Sequence, residues 1–311
     1  MSAGRMHWSF FALMGFGLLA PVIGIYPTFL MKCWCFALFA CAFNLLLGYT
    51  GLLSFGHAAF LSIAAYVTGH AVRVWGYAPE WGILAGTLSA AVLGYVFGSL
   101  AIRRAGIYFA MITLALAQML YFVWLQMKFT GGEDGLQGVP RGVLFGLVDL
   151  ADNTSLYYVV FAIFLGGFFL IHRVIHSPFG QVLQAIRENE PRAISLGYDV
   201  DRYKLVVFVL SAALSGLAGA TKTLVFQLAS LTDAHWHMSG EVVLMTLLGG
   251  LGTVFGPVVG AFVIVGLQNE LADKVGSWVQ VIMGLIFVVC VLAFRRGIVG
   301  ELQALFRARR G

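Results

Sequence analysis

Charged residues are scarce in this 311-residue chain, since they make up 11% of it against 60% for hydrophobic residues. A soluble globular domain carries about 25% charged residues. A water-soluble fold of this length would need more polar surface than this composition supplies. The apolar runs are also too long and too continuous for barrel strands, which alternate polar and apolar residues over about 10 positions. The shortage of charge therefore predicts an all-α, polytopic transmembrane helical bundle.

The chain also lacks the sequences that mark common catalytic centres. No GxSxG, HExxH or Walker A sequence occurs, and no polar stretch is long enough for a soluble domain of ~100 residues. We therefore expect no catalytic residues and no cofactor bound by this chain, so that any energy source lies in another protein. The span centres lack Asp and Glu, which disfavours an ion-coupled secondary transporter with ionisable groups near the bilayer midplane.

Cysteine is rare as well, and all of the cysteines lie in or beside apolar runs. The four are Cys33, Cys35, Cys41 and Cys290. Buried thiols behave as small hydrophobic side chains. No histidine or second cysteine pair stands at ligand spacing from Cys33 and Cys35, so no metal site is expected. A basic low-complexity tail is missing too, and nucleic acid is not an expected partner.

The chain does contain a series of long apolar runs. A transmembrane helix needs roughly 20 apolar residues, and the runs predict spans at 8–28, 33–48, 52–72, 81–101, 106–127, 155–172, 205–226 and 277–294. A further apolar region, 241–268, is interrupted by Gly249, Gly250, Gly252, Gly256 and Pro257. Non-helical backbone at membrane depth is tolerated only where it is buried in protein or lines a cavity. We therefore predict one transmembrane domain over 1–311 with eight to ten spans, in which 241–268 forms a re-entrant pair of half-helices or two short crossings.

The distribution of basic residues predicts the orientation. The net charge is +5, and most of the 19 Lys and Arg residues fall on one side when the predicted spans alternate. Because cytoplasmic loops are enriched in Lys and Arg, both termini are expected in the cytoplasm. The polar segment 173–204 is then cytoplasmic, and the polar segment 128–154 is external. Lys222, near the outer end of its span, is expected to extend its ammonium group outward.

The predicted cytoplasmic segment 173–204 contains a short helix with clear signals at both ends. Pro191 follows Glu190 at the first helical position, where its missing N–H costs nothing. Gly197 can adopt the left-handed conformation that ends a helix. The apolar residues that are expected to form one face are Ala193, Ile194 and Leu196. So short a helix needs support, and two surfaces suit it equally, a groove on another protein or the lipid headgroups.

Polar residues also occur within the apolar runs, where they are energetically expensive. Between residues 44 and 60 they are Asn44, Thr50, Ser54 and His57. Two roles remain open for them: they line a path across the bilayer in a discontinuous span, or they form hydrogen bonds between helices. A path could also pass the interrupted backbone at Gly249, Gly250 and Gly252.

Region 241–268 offers two further predictions. Glu241 stands at its head and either caps a half-helix facing a vestibule or is an ordinary first-turn acid stabilised by the helix dipole. Gly252, Gly256 and Gly260 recur at four-residue spacing. This series predicts close helix packing, because nucleotide binding would need a strand before the glycine turn.

Several segments together resemble a known family. They are NLLLGYTGLLSFGHAAF (44–60), GIYFAMITLA (106–115), TGGEDGL (130–136), the segment 173–204 and SGEVVLMTLLGGLGTVFGPVVGA (239–261). In this order they are similar to the branched-chain amino acid permease family of ATP-binding cassette (ABC) importers, and specifically to its M-type subunit. Because the segments span most of the chain, the resemblance is more specific than any single glycine-rich stretch.

The resemblance implies a function, partners and a docking element. The short helix would be the coupling element that docks on an ATPase, with candidate residues Glu188, Glu190, Pro191, Arg192, Ala193 and Gly197. The implied partners are a second, related permease in a heterodimer, two cytoplasmic ABC ATPases that use ATP, an extracytoplasmic solute-binding protein and the lipid of a bacterial inner membrane. The implied substrates are Leu, Ile and Val or related amino acids, with urea, amides or aromatic carboxylates as the alternative.

Overall fold

The computed structural model describes residues 10, 13–21, 24, 26–293 and 297–301. Helices dominate this part of the chain: α1 (Pro27–Thr50), α2 (His57–Arg73), α3 (Pro79–Ala101), α4 (Ile107–Gln126), α5 (Asn153–Ile175), α6 (Pro178–Glu188), α7 (Glu190–Ser195), α8 (Val200–Phe226), α9 (Trp236–Gly249), α10 (Gly256–Val275) and α11 (Val279–Ala293). The strands are two-residue pieces, β1 (Leu136–Gln137), β2 (Val143–Leu144), β3 (Val148–Asp149) and β4 (Leu228–Ala229). Five helices, α1, α3, α4, α5 and α8, are long and apolar enough to cross a membrane. The prediction of an all-α, polytopic membrane protein is confirmed.

The span predicted at 52–72 begins too early. Gly51 ends α1 in the left-handed conformation, with φ of 79°, and α2 begins only at His57. Between them, the Ser54 hydroxyl accepts a hydrogen bond from the Gly56 amide at 3.1 Å. A local turn held by a side chain therefore replaces the first helical turn that the apolar pattern predicted.

The predicted span 8–28 lies partly outside the described residues, and residues 13–19 within it are helical. The basic residues near both termini, on which the predicted orientation partly depends, also lie outside them. The other predicted spans each match one helix, apart from the interrupted region 241–268.

Helix α1 lies at the centre of the bundle and packs against α5, α8 and α10. Nearly all of its residues from Leu30 onward are buried, as expected for a helix that is apolar on every side. Trp34 Nε1 donates to the Tyr157 hydroxyl of α5 at 3.2 Å, and that hydroxyl donates to the Gly17 carbonyl at 2.6 Å. The buried cysteines Cys33, Cys35 and Cys41 are all on α1. Cys290 has a side chain outside the described part of the structure.

Helices α2, α3 and α8 form a tight unit because small residues line their contacts. On α3 these residues recur at four-residue spacing: Gly82, Gly86, Ala90, Gly94 and Gly98. A Cβ atom at Gly86 would collide with Thr68 of α2, and one at Gly94 would collide with Ala212 of α8. Small residues let helix backbones approach closely inside a membrane, where helix association depends on van der Waals packing.

The two ends of the bundle carry different connections, and we name them by one residue each, the Lys222 side and the Arg187 side. On the Lys222 side, β1 pairs antiparallel with β4, and β2 pairs antiparallel with β3. On the Arg187 side, α6 and α7 connect α5 to α8. Helix α1 begins on the Lys222 side and ends on the Arg187 side.

Helices α9 and α10 form an antiparallel hairpin on the flank of α1. Gly260 lies against the Met245 backbone, and Gly249 lies against the Gly256 backbone, so closely that a Cβ at either glycine would collide. The 14 residues of α9 extend over about 21 Å, which is less than the ~30 Å of the hydrocarbon core. The packing prediction therefore holds for Gly256 and Gly260. It is wrong for Gly252, which lies in the connecting loop with φ of 71°.

Candidate functional site

A charged cavity of about 1060 Å³ opens on the Lys222 side. Its charged lining residues are Lys32 of α1, Glu133, Lys222 of α8, Asp233 and Glu241 of α9. The rest of the lining mixes apolar side chains, among them Phe36, Met238 and Val279, with uncharged polar ones such as Ser230, Gln268 and Asn269. A concave site with apolar walls and a few polar groups is typical of small-molecule binding.

Two of the cavity charges neutralise each other. The Lys222 ammonium group forms an ion pair with the Asp233 carboxylate, and both side chains are largely buried. The same ammonium group lies 5.5 Å from the centre of the Phe36 ring, within range of a cation–π contact. The prediction that Lys222 extends outward to the membrane surface is wrong, because its charge is held inside the protein by Asp233.

Of the three others, Glu133 is exposed, while Lys32 and Glu241 face the same cavity from α1 and α9. They are near enough to interact electrostatically, and the Gln268 side chain of α10 lies beside the Glu241 carboxylate. Both residues are half-buried. Within the described residues, neither side chain forms an ion pair.

Glu241 does not cap the half-helix. Helix α9 begins at Trp236, and its N-cap is His235, whose Nδ1 accepts a hydrogen bond from the His237 amide at 3.4 Å. Burial and the neighbouring His237 lower the pKa of His235, which favours the neutral ring that such acceptance requires. Glu241 lies more than one turn further along, on the cavity wall, so it is neither the cap nor a first-turn acid, and only the position facing the cavity agrees with the prediction.

On the Arg187 side, a junction of non-helical backbone joins α1 to the α9–α10 hairpin. The Asn44 side chain holds it, since Oδ1 accepts from the Gly252 amide at 3.0 Å and Nδ2 donates to the Thr253 carbonyl at 2.9 Å. Buried backbone groups need partners, and here one amide side chain supplies both. Among the candidates for the path, the structure therefore brings Asn44 and Gly252 together.

Arg187, at the end of α6, attaches the connecting segment to this junction. Its guanidinium group donates to the Gly48 carbonyl of α1. Its aliphatic stem covers Gly51, where a Cβ atom would lie 3.2 Å from Arg187 Cγ. One side chain thus links α6 to the end of α1, four residues from Asn44.

The remaining path candidates from the first polar cluster are buried among helices. His57 Nε2 and the Ser211 hydroxyl of α8 are 2.9 Å apart, and the His57 ring packs edge-on against Phe43 and Phe60. Ser54 is fully buried, and Thr50 is nearly so. The His57–Ser211 contact joins two helices, whereas Ser54 and Thr50 form hydrogen bonds with backbone groups of their own segment. A path lined by these residues stays a prediction.

The predicted short helix is present as α7, with an anchored start and a defined end. Asn189 caps its start, with Oδ1 accepting from the Arg192 amide at 3.0 Å. Gly197 follows its end in the left-handed conformation, with φ of 89°, as the sequence predicted. The Glu190 carboxylate accepts from Lys204 Nζ at 2.6 Å, and the Lys204 side chain is only 5% exposed. Glu190 therefore fastens α7 to α8.

The apolar residues of this segment do not share one face, contrary to the prediction. Ala193 is buried in a small cluster with Ile186 and Val200, while Ile194 and Leu196 are 57% and 68% exposed. A short helix spreads its side chains around the axis, so residues one or two positions apart point in different directions. The inner side chain secures the segment, and the two outer ones remain open for contact.

The predicted site omitted several of these residues. Lys32, Asp233 and Lys204 carry charge in or beside apolar runs, a signal that marks functional residues in membrane proteins, and their partners lie far away in the sequence. Arg187 carries no comparable signal, because an arginine in a charged loop is ordinary. Among the described residues, no group of three His, Cys, Asp or Glu side chains is placed to hold a metal ion.

Comparison with known proteins matches residues 25–291 to the family described as "Branched-chain amino acid transport system / permease component". The high-affinity branched-chain amino acid transport system permease protein LivM of Salmonella typhimurium is 28% identical over 277 residues, which cover 80% of this chain and 64% of the relative. LivM of Escherichia coli is 26% identical over 296 residues, which cover 86% and 68%. The ribose import permease protein RbsC of Bacillus subtilis is 29% identical over 196 residues, 58% of each chain.

The match extends over about two thirds of the length of the two LivM proteins. No solved structure matches the chain. The family match covers residues 25–291, which include the cavity, the junction at Asn44 and Gly252, and α7. This chain, a polytopic helical membrane protein, therefore belongs to the family of permease components of branched-chain amino acid transport systems.

Proposed function

We propose that this chain is the permease subunit of an ABC importer that carries Leu, Ile and Val or related amphipathic amino acids across a bacterial inner membrane. The observation that carries the proposal is the segment 190–196, in which Ile194 of α7 and Leu196 just after it are exposed and Glu190 is tied to Lys204 of α8. An isolated helix of six residues would not be stable. Held in this way, it presents Ile194 and Leu196 as a rigid docking surface for an ATPase.

The orientation follows from the same assignment. The Arg187 side faces the cytoplasm together with both termini, and the Lys222 side faces outward, where a solute-binding protein would deliver the substrate into the cavity. The excess of Arg and Lys in the segments on the Arg187 side supports this orientation, because cytoplasmic loops are enriched in basic residues.

The energy comes from partner subunits. Two ABC ATPases bind and hydrolyse ATP, and a second, related permease completes the membrane domain as a heterodimer. Movement of α6 and α7 on the ATPase reaches the junction through Arg187 and the Gly48 carbonyl. From there Asn44 carries it to Gly252 and Thr253, at the turn of the α9–α10 hairpin whose first helix bears Glu241.

The test is uptake by the full importer, reconstituted in lipid vesicles with ATP, the ATPases and the binding protein. Ile194→Asp combined with Leu196→Asp should abolish ATPase association and reduce leucine uptake at least tenfold, because two charges would enter an apolar contact. The matched control is Leu147→Asp, which changes an 88% exposed leucine on the Lys222 side and should leave ATPase association intact.

Two outcomes would overturn the proposal. One is uptake that persists without any ATPase and collapses when an ionophore removes the ion gradient, which would indicate a secondary transporter. The other is importer activity towards urea, amides or aromatic carboxylates and none towards amino acids. The chain would then still be an ABC importer permease, but the proposed substrate would be wrong.

A further inference from the structure

The charged groups in the Lys222-side cavity are not equally available to a ligand. Lys222 and Asp233 neutralise each other, and Glu133 is exposed to water at the rim. Lys32 and Glu241 remain, half-buried and without an ion-pair partner among the described residues. A positive and a negative group therefore face one cavity, each with unused capacity for a charged hydrogen bond.

The geometry of the two groups is set by separate helices. Lys32 is on the long central helix α1, and Glu241 is on the half-helix α9, where Gln268 of α10 lies beside its carboxylate. The pair interacts electrostatically across the cavity without being in contact as a salt bridge. A ligand that carries a negative and a positive charge on neighbouring groups would form charged hydrogen bonds with Lys32 and Glu241 at the same time.

Part of the cavity wall near these charges is apolar. Phe36 lies one helical turn from Lys32 on α1, Met238 lies three residues before Glu241 on α9, and Val279 begins α11. Burial of aliphatic carbon against such walls is favourable at roughly 25 cal/mol per Å². The site therefore combines one cation, one anion and an apolar surface.

We infer that Lys32 and Glu241 form a binding site in the permease itself for the charged backbone of an α-amino acid, with the carboxylate at Lys32, the ammonium group at Glu241 and an aliphatic side chain against Phe36 and Met238. The inference rests on the proposed function and adds to it a binding site within the membrane subunit. It also sets the substrate class, since urea and neutral sugars carry neither charge and an aromatic carboxylate carries only one.

The experiment measures equilibrium binding of radiolabelled leucine to the importer in lipid nanodiscs without the binding protein, so that only the membrane complex can bind it. Lys32→Gln and Glu241→Gln should each raise the dissociation constant at least tenfold, equivalent to about 1.4 kcal/mol. Both changes remove a charge from a membrane segment, which favours insertion. Glu270→Gln and Lys274→Gln, in an exposed pair on α10, are matched controls and should bind leucine as the wild type does.

Competition with two leucine analogues separates recognition from a structural role. Isocaproate lacks the ammonium group, and isoamylamine lacks the carboxylate. Glu241→Gln should therefore weaken leucine while leaving isocaproate unchanged, and Lys32→Gln should weaken leucine while leaving isoamylamine unchanged. A pair that merely stabilised the helices would weaken all three ligands equally in both variants, and that result would overturn the inference.

The failure of this site can be told apart from failure of the proposed function. If the wild-type importer takes up leucine with ATP, but the nanodiscs bind none or both variants bind it as tightly as the wild type, the site is wrong and the function stands. If the wild-type importer transports no amino acid, both are wrong.

Discussion

Polar side chains on the Lys222 side line an open cavity, whereas those on the Arg187 side hold backbone at close range. In the cavity, Lys32 and Glu241 have no ion-pair partners among the described residues. At the junction, Asn44 and Arg187 are engaged with backbone groups of Gly252, Thr253 and Gly48. The difference shows that one bundle leaves two charges without ion-pair partners at one end and uses polar side chains to bind backbone groups of other segments at the other end.

The Lys222–Asp233 pair is an exception in the cavity, because its two charges neutralise each other. Breaking this pair should reduce the stability of the permease more than the other substitutions. Asp233→Asn would leave the Lys222 ammonium group buried without its counter-ion, which costs about 3 kcal/mol. A marked fall in the thermal unfolding midpoint of the purified permease should follow. The double variant with Lys222→Met should recover most of the loss, and an unchanged midpoint in the single variant would show that the pair is not structural.

Substitution of Asn44, on the Arg187 side, should reduce stability by an intermediate amount. Asn44→Leu would leave the Gly252 amide and the Thr253 carbonyl without their partner, at a cost of about 1–2 kcal/mol. Because the same contacts lie between Arg187 and the hairpin, the ratio of ATP hydrolysed to leucine imported should also rise.

Asn44→Asp keeps the acceptor for the Gly252 amide but places a carboxylate oxygen beside the Thr253 carbonyl in a buried position, so it should lose at least as much stability as Asn44→Leu. A loss of stability in Asn44→Leu without a change in the ATP ratio would remove Asn44 from the proposed coupling route.

The anchor of α7 should show the smallest effect, with an asymmetry between its two partners. Glu190→Gln keeps an oxygen acceptor for the nearly buried Lys204 ammonium group, and water reaches the partly exposed Glu190 position, so the cost should be about 1 kcal/mol. Lys204→Met leaves Glu190 in contact with water and should be close to neutral. Thermal unfolding of the two variants side by side measures the difference. Equal losses would contradict the asymmetric burial of the pair.

Much of the fold was predictable because it depends on local chemistry. Apolar runs of sufficient length predict spans, and Pro191 and Gly197 predict the ends of α7, which the structure confirms to within a residue. The late start of α2 was not predictable from hydropathy, because it depends on the left-handed conformation of Gly51 and on one hydrogen bond from the Gly56 amide to Ser54. The row of small residues on α3 was available as a signal and was missed.

The candidate site was less predictable because its contacts join residues distant in the chain. Asn44 was a candidate by its polarity, yet its partners Gly252 and Thr253 are more than 200 residues away. Lys222 was expected to reach the membrane surface, since nothing in its own helix shows that Asp233 lies beside it. The apolar residues of α7 were assigned one face, although only packing against Ile186 and Val200 shows that Ala193 points inward.

The sequence by itself determined that the chain is a helical membrane protein, where most helices run, which region is interrupted and which family the chain resembles. These properties follow from composition, apolar length and turn chemistry, all of which act over a few residues. Only the tertiary structure decided which charges are paired and which face a cavity, and which side chains connect α6 to the α9–α10 hairpin. The physical reason is that the availability of a charge depends on its distance to groups on other helices, and that distance is set by packing.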